Sequence, residues 1–184
     1  PVRWTAERSE SCLSDAHGRD HVTKIEMAST KDGEILAIRT ETLAIVGAYL
    51  SNFSTATPTF LHGTLMAGPY KVPNVYVNVK TVFTNTVPVD AYRGAGRPEA
   101  TISLERIIDK MCRELNLDPF EVRRKNFITP DMFPYTTPVG LQYDTGNYGA
   151  TLDKAMEIAD VAGFEKRRAA SAAKGKLRGM GLSP

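Results

Sequence analysis

The stretch Ala91-Tyr92-Arg93-Gly94-Ala95-Gly96-Arg97-Pro98-Glu99-Ala100 constrains this chain more than any other, because it sets two glycines between two arginines at the junction of an extended run and a helical one. Val82-Phe83-Thr84-Asn85-Thr86 reads as a strand. Pro98 and Glu99 suit the first turn of a helix, where a missing N–H costs nothing and a carboxylate meets the positive end of the dipole. Gly94 and Gly96 allow backbone N–H groups to close on an anion or a cofactor with no side chain in the way. The same residues would also serve a tight turn that packs a helix on a sheet.

Upstream, Val22–Met27 and Ile35–Thr40 are strand-like runs joined by Lys31-Asp32-Gly33-Glu34, which predicts a β-hairpin. Val75, Val77 and Val79 alternate with Tyr76, Asn78 and Lys80, the pattern of a strand with one face on a core. From Pro98 the period turns helical, with Leu104, Ile107, Ile108, Met111 and Leu115 on one face and Asn116 as the stop. Asp118-Pro119-Phe120-Glu121 carries the cap, proline and acid of a second helix start, ending near Asn126. Residues 129–150, rich in Pro, Gly, Tyr and Thr, read as a long irregular segment of the kind that is functional or covers another layer. Leu152, Ala155, Met156 and Ala159 restore a helical face, and Gly163 interrupts it before a basic, Ala-rich run. The mixture, without internal repeat, predicts an α+β fold.

Val2-Arg3-Trp4 is expected as a strand, and another is expected to begin just before Gly181. A start at Pro1 and a stop at Pro184 suggest an internal piece of a longer polypeptide, 1–184, with no domain boundary inside it.

Composition narrows the function classes. With 184 residues, 42% hydrophobic and 24% charged, the chain suits one soluble globular domain. The longest apolar stretch, Leu43–Leu50, is far short of the roughly 18 residues of a membrane span, and no signal-peptide layout appears, so a cytoplasmic, non-transmembrane protein is expected. Cys12 and Cys112 form no Cys-x-x-Cys pair, which argues against an iron–sulfur or zinc centre within the chain. A net charge of +2 gives no case for nucleic acid, and the C-terminal Lys166, Arg167, Arg168, Lys174, Lys176 and Arg178 read as a solvated helix face.

Gly94-Ala95-Gly96 opens like a Rossmann fingerprint but lacks the third glycine, whose place Glu99 takes, and lacks the later ribose-binding acid. Arg93 and Arg97 could each grip an oxo-anion bidentately or form a salt bridge to Asp90 or Glu99. His17 and His21 have the spacing of helical metal ligands, yet Gly18 argues against a helix there, so loop hydrogen bonding is expected and no metal ligand is assigned. No Gly-x-Ser-x-Gly nucleophile elbow occurs.

Ala91-Tyr92-Arg93-Gly94-Ala95-Gly96-Arg97 resembles the active-site loop of form II aerobic carbon monoxide dehydrogenase large subunits, in the xanthine dehydrogenase superfamily of molybdenum hydroxylases. Pro1-Val2-Arg3-Trp4, His17-Gly18-Arg19-Asp20, Gly68-Pro69-Tyr70, Thr84-Asn85-Thr86, Glu105-Arg106 and Arg123-Arg124-Lys125-Asn126-Phe127 follow the family order over nearly the whole chain. The resemblance implies a fragment of the molybdopterin-binding large subunit, inactive alone. It implies a molybdopterin cytosine dinucleotide cofactor, a small-molecule substrate, and partner subunits carrying FAD (medium) and iron–sulfur clusters (small). Tyr92, Arg93, Gly94, Ala95, Gly96 and Arg97 would then hold the cofactor, with Arg93 beside molybdenum and the catalytic base outside this chain.

Form I members carry a copper-binding cysteine after the arginine. Here Gly94 stands in its place, so no thiolate for a molybdenum–copper centre is expected, and carbon monoxide competes with an aldehyde or N-heterocycle as substrate. Purine-oxidising relatives have a substrate-binding arginine at the place of Leu61 and a stacking phenylalanine at that of Ala95, so xanthine is a poor fit. From another class, a non-catalytic module gripping a nucleotide or anion is the rival reading.

Overall fold

The computed structural model describes residues 1–184. After an irregular start, α1 (Arg8–Ser14) is a short surface helix with no buried residue. β1 (His21–Ser29) and β2 (Ile35–Gly47) form the expected antiparallel hairpin, with His21 opposite Ala44 and Met27 opposite Ile38. Its turn is closed by Thr30 N donating to Glu34 O at 2.9 Å and Gly33 N to Thr30 O at 3.1 Å. β3 (Asn74–Phe83) then joins the other edge of β2 in parallel, so the sheet order is β1-β2-β3. Along β2, Ile38, Thr40, Thr42, Ala44 and Val46 are buried while Arg39, Glu41 and Leu43 are exposed, the alternation of a sheet with one covered face.

Helix α2 (Arg97–Leu115) covers much of that face. Leu104, Ile108, Met111 and Cys112 pack into one core with Ile35, Ile38, Tyr70 and Val72. Asn116, in the left-handed conformation, ends the helix as its type allows. α3 (Pro119–Asn126) follows, capped by Asp118, whose carboxylate accepts from Phe120 N and Glu121 N. Its last residue ties it to the hairpin: Asn126 Nδ2 donates to Gly33 O at 2.8 Å, and Ile35 N donates to Asn126 Oδ1 at 2.9 Å.

Arg123, completely buried, binds Glu105 through Nε at 2.8 Å and Asp109 through Nη2 at 2.8 Å, while Tyr70 Oη donates to Glu105 at 2.9 Å. Burial raises the Glu105 pKa against the opposing pull of the Arg123 charge. Two of the family-like strings, Glu105-Arg106 and Arg123–Phe127, thus contribute an internal brace between α2 and α3.

Beyond α3, residues 129–147 hold a single 3₁₀ turn and the two-residue strands β4 (Tyr135–Thr136) and β5 (Gln142–Tyr143). α4 (Tyr148–Ile158) buries Leu152, and α5 (Phe164–Ala172) buries nothing; Lys166 and Arg168 are exposed as the sequence suggested, whereas Arg167 is half-buried and tied to Asp160 and to the carbonyl of Ala159. No helix is long and apolar enough to cross a membrane.

Three of the strands expected from the sequence differ in the structure. Val2-Arg3-Trp4 is not a strand: Val2 is 100% and Trp4 77% exposed, with no neighbouring strand to take the backbone hydrogen bonds that a strand requires. Nor does a strand form before Gly181. Leu182 instead packs against the α2–α3 core. Finally, β3 ends at Phe83 rather than Thr86, where β2 shifts register between Ile45 and Gly47 and Thr84 N turns to Gly47 O at 3.0 Å.

Candidate functional site

The glycine loop is suspended between two anchors. On its upstream side the chain runs beside residues 17–20, with His17 N donating to Pro88 O at 3.0 Å and Asp90 N to His17 O at 2.7 Å. The Asp90 carboxylate accepts from Ser51 Oγ, from Ala91 N at 2.6 Å and from Phe53 N at 3.2 Å. These donors hold its pKa below the usual carboxylate range.

On its downstream side the loop becomes the N-terminus of α2, with Gly96 as the N-cap. Gly94, Ala95 and Gly96 all have positive φ, of 93°, 34° and 86°. A Cβ on Gly96 would lie 2.6 Å from His62 N and 2.7 Å from Leu61 C. The loop is therefore seated directly on the π-helical turn Thr57–Leu61 and the residue that caps it.

This seating leaves donors free. Within the loop, Ala95 N bonds Tyr92 O at 2.8 Å and Arg97 N bonds Gly94 O at 3.1 Å, while the N–H groups of Arg93, Gly94 and Gly96 find no acceptor in the chain. Tyr92, Arg93, Gly94 and Arg97 are exposed, Ala95 is half-buried and Gly96 is buried. The guanidinium groups of Arg93 and Arg97 make no hydrogen bond or ion pair. Their structural alternatives are taken: Asp90 is engaged as described, and Glu99 is buried with Oε1 3.8 Å from Arg19 Nε. Free N–H groups beside two unpaired cations have the chemistry that suits an anion.

Behind the loop lies a polar patch that sequence reasoning did not assemble. His62 is fully buried, its Nε2 3.4 Å from Thr42 Oγ1 and its ring 5.1 Å from that of His21 at an interplanar angle of 82°. Burial, with the neighbouring His21, depresses the His62 pKa to about 4, and burial lowers that of His21 as well. His21 Nδ1, His62 Nδ1, Thr57 Oγ1 and Glu99 Oε2 are buried without a hydrogen-bond partner.

His17 and His21 do not act as a pair: one aligns with the loop's approach and the other meets the ring of His62 edge to face. Arg19, quoted only as part of a motif, proves to touch the loop itself. Its donation to Arg93 O spans 74 positions, which no local spacing could signal. No cluster of three or more His, Cys, Asp or Glu side chains is arranged as a metal-ligand set.

Residues 1–127, which include the hairpin, the loop and α2, match the molybdopterin cofactor-binding domain family. The chain is 37% identical, over 99% of its length, to the carbon monoxide dehydrogenase large chain of Hydrogenophaga pseudoflava. It is 33% identical, again over 99% of its length, to subunit gamma of the 6-hydroxypseudooxynicotine dehydrogenase complex of Paenarthrobacter nicotinovorans. It spans 23% of the length of each of these relatives. Among solved structures, quinoline 2-oxidoreductase from Pseudomonas putida 86 superposes with a TM-score of 0.87 at 32% identity, covering 95% of this chain and 22% of that one. Fold and sequence agree over the same stretch that carries the glycine loop, and on that agreement the chain belongs to the molybdopterin cofactor-binding domain family.

Proposed function

We propose that the complete protein is a molybdenum hydroxylase large subunit, and that this chain, as one segment of it, supplies a wall of the molybdenum site. The observation that carries this is the anion receptor formed by the free N–H groups of Arg93, Gly94 and Gly96 beside the unpaired Arg93 and Arg97. Those residues fit a molybdenum–pterin group, whose oxo ligands and phosphates are anionic. Tyr92, Arg93, Gly94, Ala95, Gly96 and Arg97 would hold it, with Arg93 nearest the reacting atoms. The group, as molybdopterin cytosine dinucleotide, supplies oxidation of the substrate with an oxygen atom taken from water.

The chain's own contribution is to fix donors where negative charge gathers. Gly94 and Gly96 bring backbone N–H groups close, and the guanidinium of Arg93 adds a charge that no internal carboxylate cancels. Electrons would leave through iron–sulfur and FAD subunits in a cytoplasmic complex.

Between the two substrate readings, the loop favours an N-heterocycle or aldehyde over carbon monoxide. At Gly94, φ is +93° and a Cβ would stand 3.0 Å from both Pro98 Cδ and Cγ, so this backbone does not readily carry the cysteine that would bind copper. Cys12 lies exposed in α1 and Cys112 in the core, neither in the loop. Leu61 sits against the loop, its Cβ 2.9 Å from where a Cβ on Gly96 would be, and brings no charge to bind a purine.

The test is dye reduction by the full-length complex purified with its molybdenum content measured, offering carbon monoxide, quinoline and benzaldehyde in turn. Turnover with quinoline or benzaldehyde but not carbon monoxide is expected. Copper-dependent oxidation of carbon monoxide would overturn the substrate assignment, and a complex devoid of molybdenum would overturn the reading as a whole.

A further inference from the structure

We infer that Arg19 is a positioning residue for the molybdenum site, holding the glycine loop so that the Gly94 N–H faces outward, and that Glu99 holds Arg19 in turn. The inference rests on the functional reading above. One guanidinium reaches both sides of the loop. Arg19 Nη2 donates to the carbonyl of Arg93, its Cζ stands 4.9 Å from the centroid of the Tyr92 ring, and its Nε lies 3.8 Å from Glu99 Oε1 on the first turn of α2.

The bond to Arg93 O bears directly on the free donors. The carbonyl of Arg93 and the N–H of Gly94 belong to the same planar trans peptide, so they point in opposite directions. A donor fixed on the oxygen fixes the N–H, and a charged donor polarises it further. The N–H that results is among the loop donors that find no acceptor within the chain.

Two independent features mark this contact as more than incidental packing. Four non-glycine residues of the chain have positive φ: Arg19 at 64°, Ala95 at 34°, Asn116 at 55° and Asp160 at 47°. Asn116 and Asp160 are helix-terminal residues of the types that tolerate this conformation, whereas Arg19 and Ala95 are not, and both of these lie at the loop. Strain held at one contact is a feature of sites where geometry serves function. Glu99 is the second feature. Only 7% exposed, it keeps one carboxylate oxygen without a partner, a costly arrangement that an apolar residue would avoid. Its other oxygen faces Arg19.

Lysine cannot replace Arg19 in this role, since a point charge does not combine an ion pair, a directed hydrogen bond and a ring contact. The experiment compares wild type, Arg19→Lys and Glu99→Gln in the full-length complex by molybdenum content, hydrogen exchange of peptides covering residues 91–97, the Mo(V) electron paramagnetic resonance spectrum, and kcat against KM. For Arg19→Lys we expect molybdenum retained, loop exchange faster while residues 104–112 stay protected, altered Mo(V) g-values, and kcat lower by roughly tenfold or more with KM little changed. Glu99→Gln, isosteric and less disruptive, is expected to move the same readouts in the same direction by less.

Unchanged loop exchange and an unchanged Mo(V) spectrum in both variants would overturn the inference alone. So would a loss of kcat that merely tracks lost molybdenum. A wild-type complex without molybdenum would overturn the functional reading and this inference with it.

Discussion

Replacing Gly96 by alanine probes how tightly the loop is seated. At φ +86° a side chain carries the left-handed penalty of about 1–2 kcal/mol. The new Cβ would also lie 2.6 Å from His62 N and 2.7 Å from Leu61 C. Both are backbone atoms that cannot swing aside like the end of a side chain, so overpacking adds about 1–3 kcal/mol. Gly140 separates the two effects: its φ is +89°, yet a Cβ there meets nothing within 4 Å. Gly96→Ala is therefore expected to cost about 2–5 kcal/mol and Gly140→Ala about 1–2 kcal/mol. The urea dependence of hydrogen exchange at the slowest amides of β2 and α2, measured in the full-length protein, reads both losses in one background. Equal losses would refute the close seating of the loop on the Leu61–His62 turn.

Arg123→Leu leaves Glu105 buried without its cation and should cost about 3–5 kcal/mol, while the double change with Glu105→Leu should recover much of it; a double variant as unstable as the single would defeat the ion-pair account. The His62 pKa, depressed from 6.5 to about 4, means that the unfolded chain binds more protons between those values. Its contribution to stability is therefore full above about pH 6.5 and is lost as pH falls toward 4, and stability measured across that window should depend less on pH in His62→Gln than in wild type. Asp118→Ala removes the two hydrogen bonds capping α3 and should cost about 1 kcal/mol in urea unfolding, where no change would mean that water substitutes fully for the cap.

The elements that the sequence announced are those whose causes are local. The Asp32-Gly33 turn, the Asn116 stop and the Asp118 cap each depend on residues within a few positions, and each forms as read. Along α2 the apolar period found Leu104, Ile108 and Met111 correctly, but Leu115, at the last turn, is exposed. On the same helix, away from that stripe, Glu99 and Glu105 are buried, against the habit of their type, because Arg19 and Arg123 arrive from elsewhere in the chain to face them.

Sequence alone thus determined the α+β class, the hairpin and the helix that follows the glycine loop, since turn chemistry, caps and periodicity act between near neighbours. Only the tertiary structure decided that β3 joins β2 in parallel, that Asp90 and Glu99 are occupied and so leave Arg93 and Arg97 free, and that His21 meets His62 behind the loop. Each of these is a contact between residues far apart in the chain, settled by packing and desolvation rather than by spacing along it.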